Sequence, residues 1–270
     1  MLVPTMTNRE VTQEIDRDFE IITNSSTLLR LMYEYDKERK KNKVRKEEDY
    51  TIFKEFKTNS KNKWITRISK RRSVKRYNGI DDIVTTCFTY YYSKIGIRVF
   101  FRTESGIISV FNGHMLTRYR ERLNLGQIET MDIFMRFFTI NKELNYQILP
   151  RENEEQKFIG IVKEGFILGH VYIEGEDRVW FVHKTFIDCQ TAKLSLNSTA
   201  NELIKLMENN LVKANHQNDE ELYADLLKLY NDFGLMENKE YNAEISARMK
   251  EIVSEVRKNN MPETEFWMIS

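Results

Sequence analysis

The stretch from 62 to 190 limits the fold most, because it is written in short runs of β-branched and aromatic residues. Trp64-Ile65-Thr66-Arg67-Ile68, Ile83 to Tyr92, Ile97-Arg98-Val99-Phe100-Phe101-Arg102 and Ile107-Ile108-Ser109-Val110-Phe111 all carry the strand signature. Glu104-Ser105-Gly106 separates the last two as a hairpin turn. Phe158 to Val162, Gly165 to Ile173 and Arg178 to Ile187 follow, with Glu174-Gly175-Glu176-Asp177 as a turn between the last pair. Two helical patterns interrupt the series. One covers His114 to Leu123; the other runs from about Ile128 to Thr139, with Ile128, Met131, Met135 and Phe138 on one face. This alternation predicts an α+β core with a mostly antiparallel central sheet and helices packed on it.

Both ends read as helical. Val11, Ile15, Phe19 and Ile22 recur at three- and four-residue steps, and Asn24-Ser25-Ser26 offers a cap. A second helix carries Leu28, Leu31, Met32 and Tyr35. It runs into the basic stretch Lys37 to Lys46, which has almost no apolar face. Tyr50, Ile52, Phe53 and Phe56 resume the helical pattern until Thr58-Asn59-Ser60. Beyond 190, Leu203, Leu206 and Met207 stay in phase. Leu222, Leu226, Leu229 and Phe233 follow the cap Asn218-Asp219-Glu220, and Ile245, Met249, Ile252 and Val256 recur at heptad-like steps. The expected organisation is a helical region at 1–61, an α+β core at 62–190 and a helical region at 191–270.

Net charge is +1, so the whole-chain value says little, but its distribution is uneven. Lys37 to Arg76 holds seventeen Lys and Arg against five Asp and Glu, whereas Asn201 to Ser270 holds eight against fourteen. A basic first half and an acidic tail suit either nucleic-acid contact or mutual masking. Cys87 and Cys189 sit singly in apolar runs, which excludes a disulfide framework and points to a reducing, cytoplasmic setting. The sequence has neither a signal-peptide pattern nor an apolar run of membrane-spanning length.

The densest chemistry lies in Phe111-Asn112-Gly113-His114-Met115-Leu116-Thr117-Arg118-Tyr119-Arg120-Glu121-Arg122-Leu123. Helical spacing puts His114, Arg118 and Arg122 on one face, an imidazole beside two fixed cations. That combination suits proton transfer next to a phosphate. The bland alternative is a surface helix with an Arg118–Glu121 ion pair. In the hairpin 165–187, a turn centred on Gly175-Glu176 places His170, Phe181, His183 and Thr185 on one side. Val171, Trp180, Val182 and Phe186 then share the other side. A three-residue loop would slip this register.

An HxxxRxxxR helix after a strand, a second helix, and a hairpin ending in His183-Lys184-Thr185-Phe186 together resemble the barnase–EndoU–colicin–RelE group of metal-independent, toxin-like endoribonucleases. The resemblance spans about 105–190. It implies His114 as the acid/base group, Arg118 and Arg122 as phosphate holders, Thr185 as a further phosphate contact and no cofactor. His183 or His170 would supply the second acid/base group. Basic and aromatic residues Lys63, Trp64, Arg67, Lys70, Arg71, Arg72, Lys75 and Arg76 would track an RNA strand. The alternative is a non-catalytic nucleic-acid-binding or assembly protein, with the C-terminal helices binding a protein partner or a second copy. A zinc site drawn from His114, His170, His183 and Glu121 or Asp188 lacks any supporting ligand spacing.

Overall fold

The computed structural model describes residues 1–45, 50–70, 83–141, 144–149, 155–174, 178–195, 200–213, 219–233 and 247–254. Two compact units result, Met1–Asp188 and Cys189–Ser270.

The first unit is α+β and is organised by nine strands. These are β1 (Thr51–Lys57), β2 (Lys63–Lys70), β3 (Ile83–Ser93), β4 (Gly96–Arg102), β5 (Ile108–Asn112), β6 (Asn145–Ile148), β7 (Gln156–Val162), β8 (Gly165–Glu174) and β9 (Arg178–Asp188). They form one sheet in the order β1-β2-β3-β4-β5-β9-β8-β7-β6. Every pairing is antiparallel except β5 with β9, which runs parallel from Ile108↔Trp180 to Phe111↔His183. Two antiparallel meanders therefore meet at one parallel seam. The crossover between them contains α3 (Gly113–Arg122), α4 (Thr130–Ile140) and β6 to β8.

One sheet face carries α3 and α4. Met115, Leu116 and Tyr119 from α3, and Ile133, Phe134, Phe137 and Phe138 from α4, pack on Ile65, Phe88, Val99, Phe111 and Phe186. Each such aromatic, fully buried, contributes about 1.5–3 kcal/mol of transfer free energy. The opposite face carries α1 (Asn8–Ile22) and α2 (Ser25–Lys41). Thr7 and Glu10 close a capping box at the start of α1, which fixes where that helix begins. Val11, Ile15 and Ile22 then meet Trp64, Phe100, Val110 and Trp180, while Leu31 and Tyr35 meet Ile52 and Ile68.

Residues 51–57 correct the helical reading of Tyr50 to Phe56. They form β1, paired with β2 from Thr51↔Ser69 to Lys57↔Lys63. A short apolar run fits either period, and here pairing along an open sheet edge decides it.

Two carboxylates on α1 tie it down. Asp16 receives Arg102 Nε of β4 and Arg178 Nη2 of β9, both at 2.6 Å. Asp18 is fully buried and accepts from Thr58 Oγ1 (2.7 Å), Asn62 Nδ2 (2.8 Å) and Trp64 Nε1 (2.9 Å). Burial by itself would raise the Asp18 carboxyl; these donors outweigh it and hold the group below the usual carboxylate range.

The second unit contains α5 (Cys189–Ser195), α6 (Ala200–Lys213), α7 (Asp219–Asp232) and a helical stretch at 247–254. Met207, Leu222, Leu226, Leu229, Phe233, Met249 and Ile252 are buried. Buried Glu208 accepts from Tyr230 Oη and lies 3.3 Å from Arg248 Nη2. Among the described residues no helix is long and apolar enough to cross a membrane.

Removing the Asp18 carboxylate leaves three donors without their acceptor. Asp18→Ala is expected to cost about 3 kcal/mol. Urea denaturation followed by tryptophan fluorescence measures it, since Trp64 is one of the stranded partners; a loss under 1 kcal/mol would show the network to be dispensable.

Candidate functional site

α3 begins where β5 ends, and Gly113 makes that junction physically feasible. A Cβ built there would lie 3.3 Å from both the backbone N and O of Ile97. With Met115, Leu116 and Tyr119 fully buried, the helix turns His114, Arg118 and Arg122 outward, and all three are exposed. The expected stripe therefore exists as one surface. Arg118 Nη1 pairs with Glu121 at 3.0 Å, and Arg122 Nη1 lies 3.9 Å from Asp188 at the end of β9. These pairs are largely solvated and contribute at most about 1 kcal/mol each.

A partly buried clamp that sequence reading did not find holds α3 in place. The Tyr119 hydroxyl donates to Glu164 in the β7–β8 turn, and Arg136 of α4 reaches the same carboxylate at 3.0 Å. Burial first, and Glu164 second, push the Tyr119 phenol upward, so it remains a donor. Asn141 adds a second tie, bonding Phe137 O (3.0 Å) and the Lys163 backbone N–H (2.8 Å).

The hairpin histidines do not join the stripe. Three residues connect Glu174 to Arg178, so His170 pairs with Val182 and Val171 with Phe181. The expected partners are shifted by one, and His170 now lies on the sheet face opposite His183. There His170 Nδ1 contacts Glu155 at 3.1 Å. A bulge then sets both Lys184 and Thr185 against Leu168, which turns Thr185 away from the α3 face while Phe186 remains on it. Thr185 thus corrects the expectation that it stands beside Arg118 and Arg122.

His183 is a core residue with no exposed surface. Its Nδ1 lies 2.9 Å from Val110 O, which can only accept, so Nδ1 carries the hydrogen. Nε2 therefore accepts from the Tyr146 hydroxyl at 2.9 Å. The imidazole stacks on Phe111 at 4.0 Å and meets Phe158 edge-on at 5.1 Å. Burial pushes its pKa down to about 3, which keeps it neutral and removes it from surface acid–base chemistry.

Gly169 makes this enclosure feasible. A Cβ there would fall 2.4 Å from both the Phe158 ring and Val182 O.

The basic segment divides in the same way. Trp64 is buried with its N–H on Asp18. Arg67 is buried too; its guanidinium bonds Phe138 O (2.9 Å) at the end of α4 and Thr86 Oγ1 (2.8 Å). Both residues were expected to face RNA, and both are instead core fasteners, because burial forced their polar groups to find internal partners. Lys63 is exposed, its Nζ 5.8 Å from the Tyr90 ring centre. Lys70 closes β2 opposite Ile83. Arg71, Arg72, Lys75 and Arg76 lie outside the described residues. Among the described residues, no group of three or more His, Cys, Asp or Glu is placed to hold a metal ion.

Comparison with protein-family models, with curated proteins and with solved structures finds no match.

Gly169→Ala is expected to cost 3 kcal/mol or more, on the order of the worst overpacking substitutions. A thermal melt decides it: a shift of no more than a degree or two would mean that the Phe158 ring can move aside.

Proposed function

We propose that the unit Met1–Asp188 binds RNA without cleaving it, using the outer face of α3. One observation carries the reading. His114, Arg118 and Arg122 are exposed on successive turns, about 6 Å apart along the axis. The groups that would complete a cleavage site, His183 and Thr185, are respectively in the core and on the other face of the sheet. A general acid and a general base must both reach the substrate, and one imidazole alone does not supply the pair.

The carboxylate partners do not oppose binding strongly. Exposed ion pairs are weak, and a phosphate oxygen accepts from a guanidinium at least as well as a carboxylate does. Lys63, exposed on β2, belongs to the same proposal. Residues 71–76 belong to the same proposal on sequence grounds alone.

A cytoplasmic setting is part of this reading, supported by Cys87 and Cys189, which are both buried and not joined in a disulfide. The helices of Cys189–Ser270 would serve protein contact, supported by a cavity of about 540 Å³ lined by Tyr223, Ala224, Leu227 and Val253.

The toxin-like endoribonuclease remains the second reading. It is favoured by the end of β9 lying against α3, where Asp188 is 3.9 Å from Arg122 on the side that His114 occupies.

Fluorescence anisotropy with a labelled RNA oligonucleotide across a salt series tests the first reading. Arg118→Ala and Arg122→Ala should each lower the log–log salt slope by about 0.7 to 0.9. Unchanged slopes in both variants would remove α3 from the interface. Incubation of total RNA in EDTA separates the second reading. Intact RNA is expected; cleavage by the native chain that His114→Ala abolishes would replace binding with catalysis.

A further inference from the structure

Among the described residues, the sheet pairs the two meanders of the first unit along Ile108↔Trp180 to Phe111↔His183, four parallel pairs. A parallel ladder is somewhat less stable per residue than the antiparallel ladders on either side. His183 stands at the end of this seam and links three strands, with Val110 O on β5 and Tyr146 on β6 as its partners. Asn112 Nδ2 on the β5 side donates back to His183 O at 3.4 Å.

We infer that the β5–β9 seam is an acid-sensitive joint, held closed by a neutral His183 and released when its imidazole takes a proton. Among the described residues, the groups packed around the imidazole include no carboxylate to balance a cation. Phe111 of β5, Tyr146 of β6 and Phe158 of β7 ring the imidazole, with Gly169 of β8 paired beside it. Its partners among the described residues are two backbone oxygens, of Val110 and Phe181, and one phenol. A second proton, on Nε2, would meet the Tyr146 hydroxyl, which now donates to that atom and would have to swing its own hydrogen aside to accept instead. A buried, uncompensated charge costs several kcal/mol, and opening the seam relieves it.

The sign follows from linkage. Closed, His183 holds no proton until pH falls to about 3; open, it titrates as an ordinary imidazole near 6.5. Above about pH 6.5 both states are neutral and the joint has its full stability. Between about 6.5 and 3 the open state gains tenfold per pH unit. On the α1 face a charged bridge also crosses the seam, Asp16 between Arg102 of β4 and Arg178 of β9, and its contribution must be told apart.

Hydrogen–deuterium exchange of the full chain, corrected for intrinsic rates and followed from pH 7 to 4.5, reads the joint directly. Protection in peptides covering 108–112 and 178–185 should fall about tenfold per pH unit below about pH 6. Protection in 63–69 and 84–92 should hold. His183→Gln, uncharged at every pH, should flatten the dependence; Asp16→Asn should keep it. The inference is overturned if His183→Gln retains the native dependence, or if all strands lose protection together. Should His183→Gln fail to fold, nitrogen-15 spectra of the native chain decide. A neutral Nδ1–H imidazole persisting in the closed state at pH 5 supports the joint. An ordinary imidazole titration with the sheet still closed refutes it.

Discussion

The parallel pairing of β5 with β9 is the contact on which the rest of the first unit depends. The remaining strand pairs join neighbours in sequence and can form locally. The seam alone converts a five-stranded meander and a four-stranded meander into one sheet. Both helical layers assume that it exists. On one face Tyr119 of α3 packs edge-on against Phe186 of β9 at 5.0 Å while α3 itself leads out of β5. On the other, Asp16 of α1 bridges arginines of β4 and β9. These two layers clasp the joint from both sides.

Polar groups inside this unit act as fasteners at identifiable places. Asp18 gathers three donors from β2 and the β1–β2 turn, Arg67 closes the carbonyl end of α4, and Glu164 joins α3 to α4. Each finds partners within the unit. Cations of the one sequence class divide in the fold: Arg67 is buried and bonded internally, whereas Lys63 and the arginines of the α3 stripe are exposed. A basic composition alone would have counted both sets as one surface.

Much of the layout was legible in the residues. The runs at 97–102 and 107–111 became β4 and β5, and the outward stripe of α3 follows from its 3.6-residue period. Leu222, Leu226, Leu229 and Phe233 are buried together, as their spacing required. What escaped was set at long range. The seven residues of β1 satisfied a helical period until β2 supplied a partner. β6, four residues with three of them exposed, carries no pattern strong enough to read. The site suffered most from two one-residue insertions. One extra position in the hairpin loop moved His170 to the far face, and one bulge at Lys184–Thr185 moved Thr185 there too. Pattern reading cannot count such insertions, because both registers place apolar residues inward.

The order in which the chain is made gives the seam a further meaning. β5 ends at Asn112, but its outer partner begins only at Arg178, so the ribosome must add some sixty-six residues before the edge of β5 is covered. During that interval the first meander presents an apolar strand, Ile108 to Phe111, with open backbone donors and acceptors. Emergence at about 5–20 residues per second leaves this edge bare for several seconds. Closure over so long a separation is also entropically slow. Newly made chains of this protein thus pass through a stage that invites strand exchange between copies, which factors that shield nascent chains would suppress.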